Sequence, residues 1–251
     1  MRILLACLLF VGLHGQPAGA QTLNVITAGA LKPLVVAMAP EFEPRSGLKL
    51  QVQNDTAGAI VRRLQGGESF DLAIVTAAGL ETLAAAGKTD PGSAKPIGKV
   101  GIGVAVKSGS PLPALASVDD FKRAVVAARR IAYIDPGAGG SSGIYMKGLF
   151  DRLGLAEVVQ AKAVLVPGGL TAARLVSGEV DLAVQQASEL MMVPGATLAG
   201  MLPDAIQNYT VYSAGISSAS RQKDAAAAFV AELMGPSAQG MMRQGGIQPV
   251  R

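Results

Sequence analysis

The chain has 251 residues, 50% of them apolar, 16% charged and 4% aromatic, with 31 glycines, 14 prolines and no tryptophan. That composition supplies a buried core and excludes a disordered chain, and glycines without a three-residue period exclude collagen. A formal charge of +4 is too diffuse for a nucleic-acid surface and has no aromatic stacking platform beside it.

Arg2, the apolar stretch Ile3–Leu13 and the small residues Ala18-Gly19-Ala20 read as a secretory signal over residues 1–20, with a mature periplasmic chain from Gln21. The apolar run is shorter than the ~20 residues that a membrane-spanning helix needs, and every later run is broken by Gly, Pro or charge. Cleavage would remove Cys7 and His14, the chain's one thiol and one imidazole. No metal site, no cofactor and no histidine- or cysteine-based catalysis are then expected.

Along the mature chain, Leu23–Thr27 reads as a strand. A helix follows, with Leu31, Leu34, Val35, Met38 and Phe42 at helical spacing and Pro33 in its first turn. Leu48, Leu50 and Val52 alternate with polar residues, the pattern of a half-buried strand. Further strands are expected at Leu72–Val75, Ile102–Val106, Ile131–Ile134, Ala163–Val166 and Leu182–Val184. Ser117 with Asp120 three residues on signals a helix start, and Gly235-Pro236 stops the helix running from Asp224. Strands alternating with helices imply an α/β fold with mixed, largely parallel sheets. A faint echo supports two similar lobes: Arg63 to Val75 and Arg174 to Val184 both read as a helix end, a Gly-Glu turn, an aspartate and a buried strand. The expected division is 21–104 for the first lobe, 105–208 for the second, and 209–251 returning to the first.

Four segments share one design, in which a strand ends, small or hydroxylated residues follow and a helix begins. They are Thr27-Ala28-Gly29-Ala30, Asp55-Thr56-Ala57-Gly58, Gly139-Gly140-Ser141-Ser142-Gly143 and Pro167-Gly168-Gly169-Leu170-Thr171. A helix start leaves N–H groups unpaired and carries about half a positive charge, so such segments can cradle an anion without lysine. The glycine-rich run lacks the G-x-x-x-x-G-K-[ST] spacing of a nucleotide loop. Asp71 and Asp181 open buried strands and read as structural, Lys147 as solvated, and Met191-Met192 and Met241-Met242 as packing residues. Gln185-Gln186 would need partners, or a ligand, if buried at their strand end.

In their order and spacing, these residues resemble the periplasmic molybdate-binding proteins and their type II solute-binding relatives. The likeness runs through Ala28-Gly29-Ala30-Leu31, Ala57-Gly58-Ala59-Ile60 with Arg62, Asp71-Leu72-Ala73-Ile74, Gly101–Val106, Asp135-Pro136, Gly143–Lys147 and Val176–Asp181. The resemblance implies two α/β lobes joined by two crossings, with an anion clamped between them. It maps ligand contacts onto Ala30, Thr56 or Ala57, Ser142, Leu170 and Gln186, and the helix-start reading adds Gly29, Ser141 and Thr171 as candidate contacts. It puts alanine at position 30, where the family carries a serine, and glutamine at 186, where the family carries a tyrosine. Two lost hydroxyls at about 1–3 kcal/mol each weigh against molybdate and favour a di- or tricarboxylate. The leading expectation is a monomeric receptor that delivers a small anion to an ABC importer permease. The alternative is a tricarboxylate isomerase on the same scaffold, like the aconitate isomerase related to these receptors, whose base would be a carboxylate, Lys147, Tyr145 or an activated hydroxyl.

Overall fold

The computed structural model describes residues 21–250, so the expected signal at 1–20 lies outside the described residues. The chain runs β1 (Thr22–Ala28), α1 (Lys32–Ser46), β2 (Lys49–Asp55), α2 (Ala57–Gln65), β3 (Leu72–Thr76), α3 (Ala77–Ala85), β4 (Lys95–Lys107), α4 (Val118–Ala127), β5 (Ile131–Ile134) and α5 (Ser141–Arg152). It continues through α6 (Ala156–Gln160), β6 (Ala163–Val166), α7 (Ala173–Val176), β7 (Leu182–Gln186), α8 (Ala187–Leu190), β8 (Ala196–Met201), β9 (Tyr209–Ile216), α9 (Lys223–Leu233), α10 (Pro236–Gln244) and β10 (Gln248–Pro249). Helix α4 begins with the reciprocal Ser117–Asp120 capping box that its sequence announces.

The strand order is β2-β1-β3-β9-β4-β7-β5-β6. Strands β1, β2 and β3 pair parallel, as do β5, β6 and β7. The two long strands β4 and β9 introduce the antiparallel pairings. Strand β4 pairs with β9 through Lys95–Gly101, then with β7 and β8 from Ile102 onward. One strand thus passes from one parallel unit to the other, and β9 leads the chain back to the first. The expected division at 104/105 falls within β4, and that at 208/209 falls at the start of β9. Strands β8, β9 and β10 and the first half of β4 are additions to the expected elements.

The sequence echo has a physical counterpart. Arg63 pairs with Glu68 at 2.5 Å and Arg174 with Glu179 at 3.2 Å, each across a tight glycine turn. The aspartates then tie the parallel strands: Asp71 accepts from the Asn24 backbone at 2.9 Å, and Asp181 from the Arg129 backbone at 2.8 Å. Both aspartates are structural, as their placement implies.

The apolar residues follow the same division. Val25, Leu34, Met38, Phe42, Ile74, Val100, Phe229 and Leu233 pack in one cluster, and Ile102, Val104, Phe121, Tyr133, Met146, Phe150 and Val184 in another. Fully buried Phe229 meets Phe42 with ring centroids 4.8 Å apart. Phe229→Ala is expected to cost about 3–5 kcal/mol in urea unfolding, because a cavity remains where the ring stood.

Candidate functional site

Strand-to-helix segments from both sheet units meet at one place. They enclose a cavity of about 30 Å³ lined by Gly29 and Ala30, by Asn54, Asp55, Thr56 and Ala57, by Ser141 and Ser142, and by Gly169, Gln185, Glu189 and Tyr212. Helix α5 begins at this cavity without a side-chain cap on Gly140. The first N–H groups of a helix have no intrahelical partner, so Ser141 and Ser142 present donors and the positive end of the helix dipole there. No Lys or Arg lines the cavity. Any negative charge taken up would therefore be met by amides and hydroxyls.

The two sides also bind each other directly. The Gly58 N–H donates to the Gly139 carbonyl at 3.0 Å, and the Thr56 hydroxyl donates to the Ala138 carbonyl at 2.6 Å. On the opposite wall, the Ser188 hydroxyl donates to the Ala30 carbonyl at 2.8 Å. Gly58 and Gly139 are glycines for a steric reason. A Cβ on Gly58 would stand 2.9 Å from the Gly139 Cα and carbonyl oxygen, and Gly139 has φ +80°.

Gly29, Ala30, Thr56, Ala57, Ser141 and Ser142 thus line one cavity. Leu170, Thr171 and Gln186 do not line the cavity. The Thr171 N–H and hydroxyl both donate to Gln185 Oε1, at 2.8 and 2.9 Å, so neither is left for a ligand. Gln186 lies at the strand crossing. Its Nε2 donates to the carbonyls of Val100 (3.0 Å) and Gly101 (3.2 Å), and its Oε1 accepts from the hydroxyls of Ser141 (3.1 Å) and Thr210 (3.0 Å). The opposite amide orientation would set carbonyl against carbonyl. With its own proton spent on Gln186, the Ser141 hydroxyl accepts from the Tyr212 hydroxyl, 3.0 Å away. Burial and the charge of Glu189 push the Tyr212 phenol upward, which keeps it a donor. Lys147 is paired with Asp151 at 3.3 Å and the Tyr145 hydroxyl donates to Ile206, so neither faces the cavity.

Glu189 was not among the expected residues. It lies on α8 with Oε1 in the space that a side chain at position 29 would occupy, so a residue larger than glycine there would displace the carboxylate. Loss of water around the carboxyl pushes it up to about 8, against a smaller downward pull from the Gln185 amide. The local signal was a single acidic residue in the otherwise uncharged stretch Leu182–Val193. A raised carboxyl is a stability term. Between about 4.5 and 8 the native state holds a proton that the unfolded state has lost, so this residue lowers stability as pH rises through that window. Glu189→Gln should therefore stabilise the protein by a few kcal/mol above pH 8 and hardly at all below pH 4, as read by urea unfolding across pH.

Larger hollows lie elsewhere, two of them of about 540 and 530 Å³. The first surrounds Asp71, whose carboxylate is already taken by Asn24 and Ser220. The second is an open groove beside Leu165 and Lys147. Neither gathers donors from both sheet units.

The profile of the family described as bacterial extracellular solute-binding protein matches residues 23–248. The chain belongs to this family. An aconitate isomerase from a Pseudomonas species is 33% identical over 244 residues, covering 95% of this chain and 91% of that protein. Among solved structures, the periplasmic molybdate-binding protein of Azotobacter vinelandii superposes with a TM-score of 0.76 at 19% identity, covering 91% of this chain and 100% of that one. The sulfate-binding protein of Mycobacterium tuberculosis gives 0.72 at 18% identity, covering 92% of this chain and 87% of that one. The fold is that of the type II periplasmic binding proteins, as the resemblance implies. Among the described residues, no helix is long and apolar enough to cross a membrane.

Proposed function

We propose that this protein is a periplasmic isomerase of a small unsaturated polycarboxylate of the aconitate type, built on a solute-binding scaffold. The observation that carries this reading is Glu189, a carboxyl held between the two sides of an anion cleft and raised to about 8. A proton-transfer enzyme needs a group that titrates near its working pH at the ligand, and Glu189 supplies one. The relative that is one-third identical, an aconitate isomerase, supports the same assignment.

In the chemistry, ionised Glu189 removes a proton from the methylene carbon that lies between a carboxylate and the double bond. The electron pair moves into the allylic system and onto a carboxylate oxygen, the double bond shifts, and Glu189 returns the proton to the former vinyl carbon. Atoms and charge balance without an oxidant or a metal. The N–H groups of Ser141 and Ser142 stabilise the developing oxyanion, and the Tyr212–Ser141 hydroxyl pair orders that wall. Residues 21–104 with 209–251 would move against 105–208 to admit the ligand, since the closed cavity is too small for a tricarboxylate to enter.

Incubating the protein with trans-aconitate in deuterium oxide tests the reading. Formation of cis-aconitate is the expected result, with deuterium entering to the extent that Glu189 exchanges its proton with solvent before returning it, and binding without conversion overturns the reading. The second reading is a receptor that hands the same anion to an importer permease. The direct bonds Gly58–Gly139 and Ser188–Ala30 favour it, because a clamp that closes on its own carbonyls suits capture and release. A calorimetric screen of molybdate, tungstate, sulfate, phosphate and small carboxylates should find its hit among the carboxylates under either reading.

A further inference from the structure

We propose that the groove beside strand β6 is a second binding site, which takes a small primary amine on an apolar stem through Asp135 and Tyr133. The site lies outside the anion cleft and does not depend on the isomerase reading. The groove has a volume of about 530 Å³. Tyr133 and Leu165 stand opposite one another in the β5–β6 ladder, and both line it, as do Phe150 of α5 and Val159 of α6. Strand β6 ends the sheet, and Leu165 on it is 47% exposed, so apolar surface is left open there.

Tyr133 is only 7% exposed, and its ring meets Phe150 edge-on with centroids 5.4 Å apart. Every fully enclosed side-chain nitrogen or oxygen among the described residues has a hydrogen-bond partner. The Tyr133 hydroxyl has none among them, so it opens on the groove that the residue lines. Burial, and then the charges of Asp135 and Asp151, push the phenol up and keep its proton in place. Partly buried Asp135 accepts from the Gly137 N–H at 2.9 Å and is bonded to no cation among the described residues. Asp151 shares Lys147 at 3.3 Å, with both side chains more than half exposed. Two carboxylates against one ammonium leave the groove net negative. A primary ammonium answers both open groups, because it donates to the Asp135 carboxylate and to the lone pairs of the Tyr133 oxygen. Its stem would cover Leu165 and Val159. An anionic head would be repelled by Asp135, and a neutral alcohol would leave that carboxylate without a cation.

The probe is n-hexylamine, with hexanoate and hexan-1-ol as its anionic and neutral counterparts. Protein carrying ¹³C-labelled tyrosine is titrated with each and followed by NMR, with Tyr133 assigned by its loss in Tyr133→Phe. Hexylamine should shift Tyr133 saturably while Tyr212, at the anion cleft, stays in place. Hexanoate should leave Tyr133 unshifted whatever it does at the cleft, and hexanol should need about tenfold more to reach the same midpoint. Asp135→Asn keeps an oxygen for the Gly137 N–H and should raise the hexylamine midpoint about tenfold or more. Leu165→Lys, at an exposed position of the edge strand, puts a competing ammonium beside the groove and should abolish the shift, so the proposal stays testable if Asp135→Asn does not fold. A Tyr133 resonance that hexylamine leaves unmoved overturns the proposal. So does an equal response to hexanoate, or an unchanged midpoint in Asp135→Asn. Tighter binding of Nα-acetyl-lysine N-methylamide than of hexylamine would assign the groove to a lysine of a partner protein and overturn the small-ligand assignment.

Discussion

Glu189→Gln should reduce isomerisation of trans-aconitate at least a hundredfold while leaving affinity for the same anion within a few-fold of wild type. A positioned acid–base group contributes about 10²–10⁴ to rate, and glutamine keeps the size of the side chain while losing the exchangeable proton. The split between turnover and binding is the informative part. A Glu189 that served only to shape the cavity would move both together. Wild-type turnover should climb about tenfold per pH unit below 8 and level off above it, because the fraction of ionised Glu189 does so. A rate that is flat from pH 5 to 9 would remove Glu189 from the reaction.

The second large effect concerns closure. Gly58→Val should raise the apparent Kd for the ligand by roughly one to two orders of magnitude, with a matching fall in kcat/KM, because the shut form would become a minor state. The two backbones already touch: a Cβ at 58 would lie 2.9 Å from the Gly139 Cα and carbonyl oxygen, and backbone cannot yield as a flexible side chain does. The same substitution removes the geometry of the 3.0 Å Gly58–Gly139 hydrogen bond. Small-angle X-ray scattering should show an expanded particle that ligand no longer compacts. Gly47→Ala is the control. Its φ of +70° makes it costly for stability, yet nothing lies within 4 Å of its added Cβ, so ligand-induced compaction should survive.

The order of the two functional readings turned on a residue that no local pattern singled out. The resemblance put a receptor first and an isomerase second, because no residue type in the sequence looked like an activated base. Glu189 is unremarkable as a letter. It becomes a base candidate only because α8 sets it against Gly29, 160 positions away in the chain, where water is excluded from its carboxyl. Thr171 and Gln186 show the converse. Gln186 was expected at the ligand by resemblance and Thr171 from its helix-start segment, and both are engaged with the protein's own groups, Thr171 on Gln185 and Gln186 on the strand crossing at Val100 and Gly101.

What the sequence determined by itself were features that depend on near neighbours. The Ser117–Asp120 capping box, the parallel strands Ile131–Ile134 and Ala163–Val166, the repeated Arg-Gly-Glu-Asp turn and the helix starts at Thr56 and Ser141 all follow from dihedral preference, capping and periodicity within a few residues. What only the tertiary structure decided was which of those helix starts share a cavity, where β4 changes partners, and which carboxyl loses its water. Those outcomes depend on surfaces brought together across more than a hundred residues of chain. Desolvation and backbone contact are properties of such an assembled surface, so no short window of residues carries them.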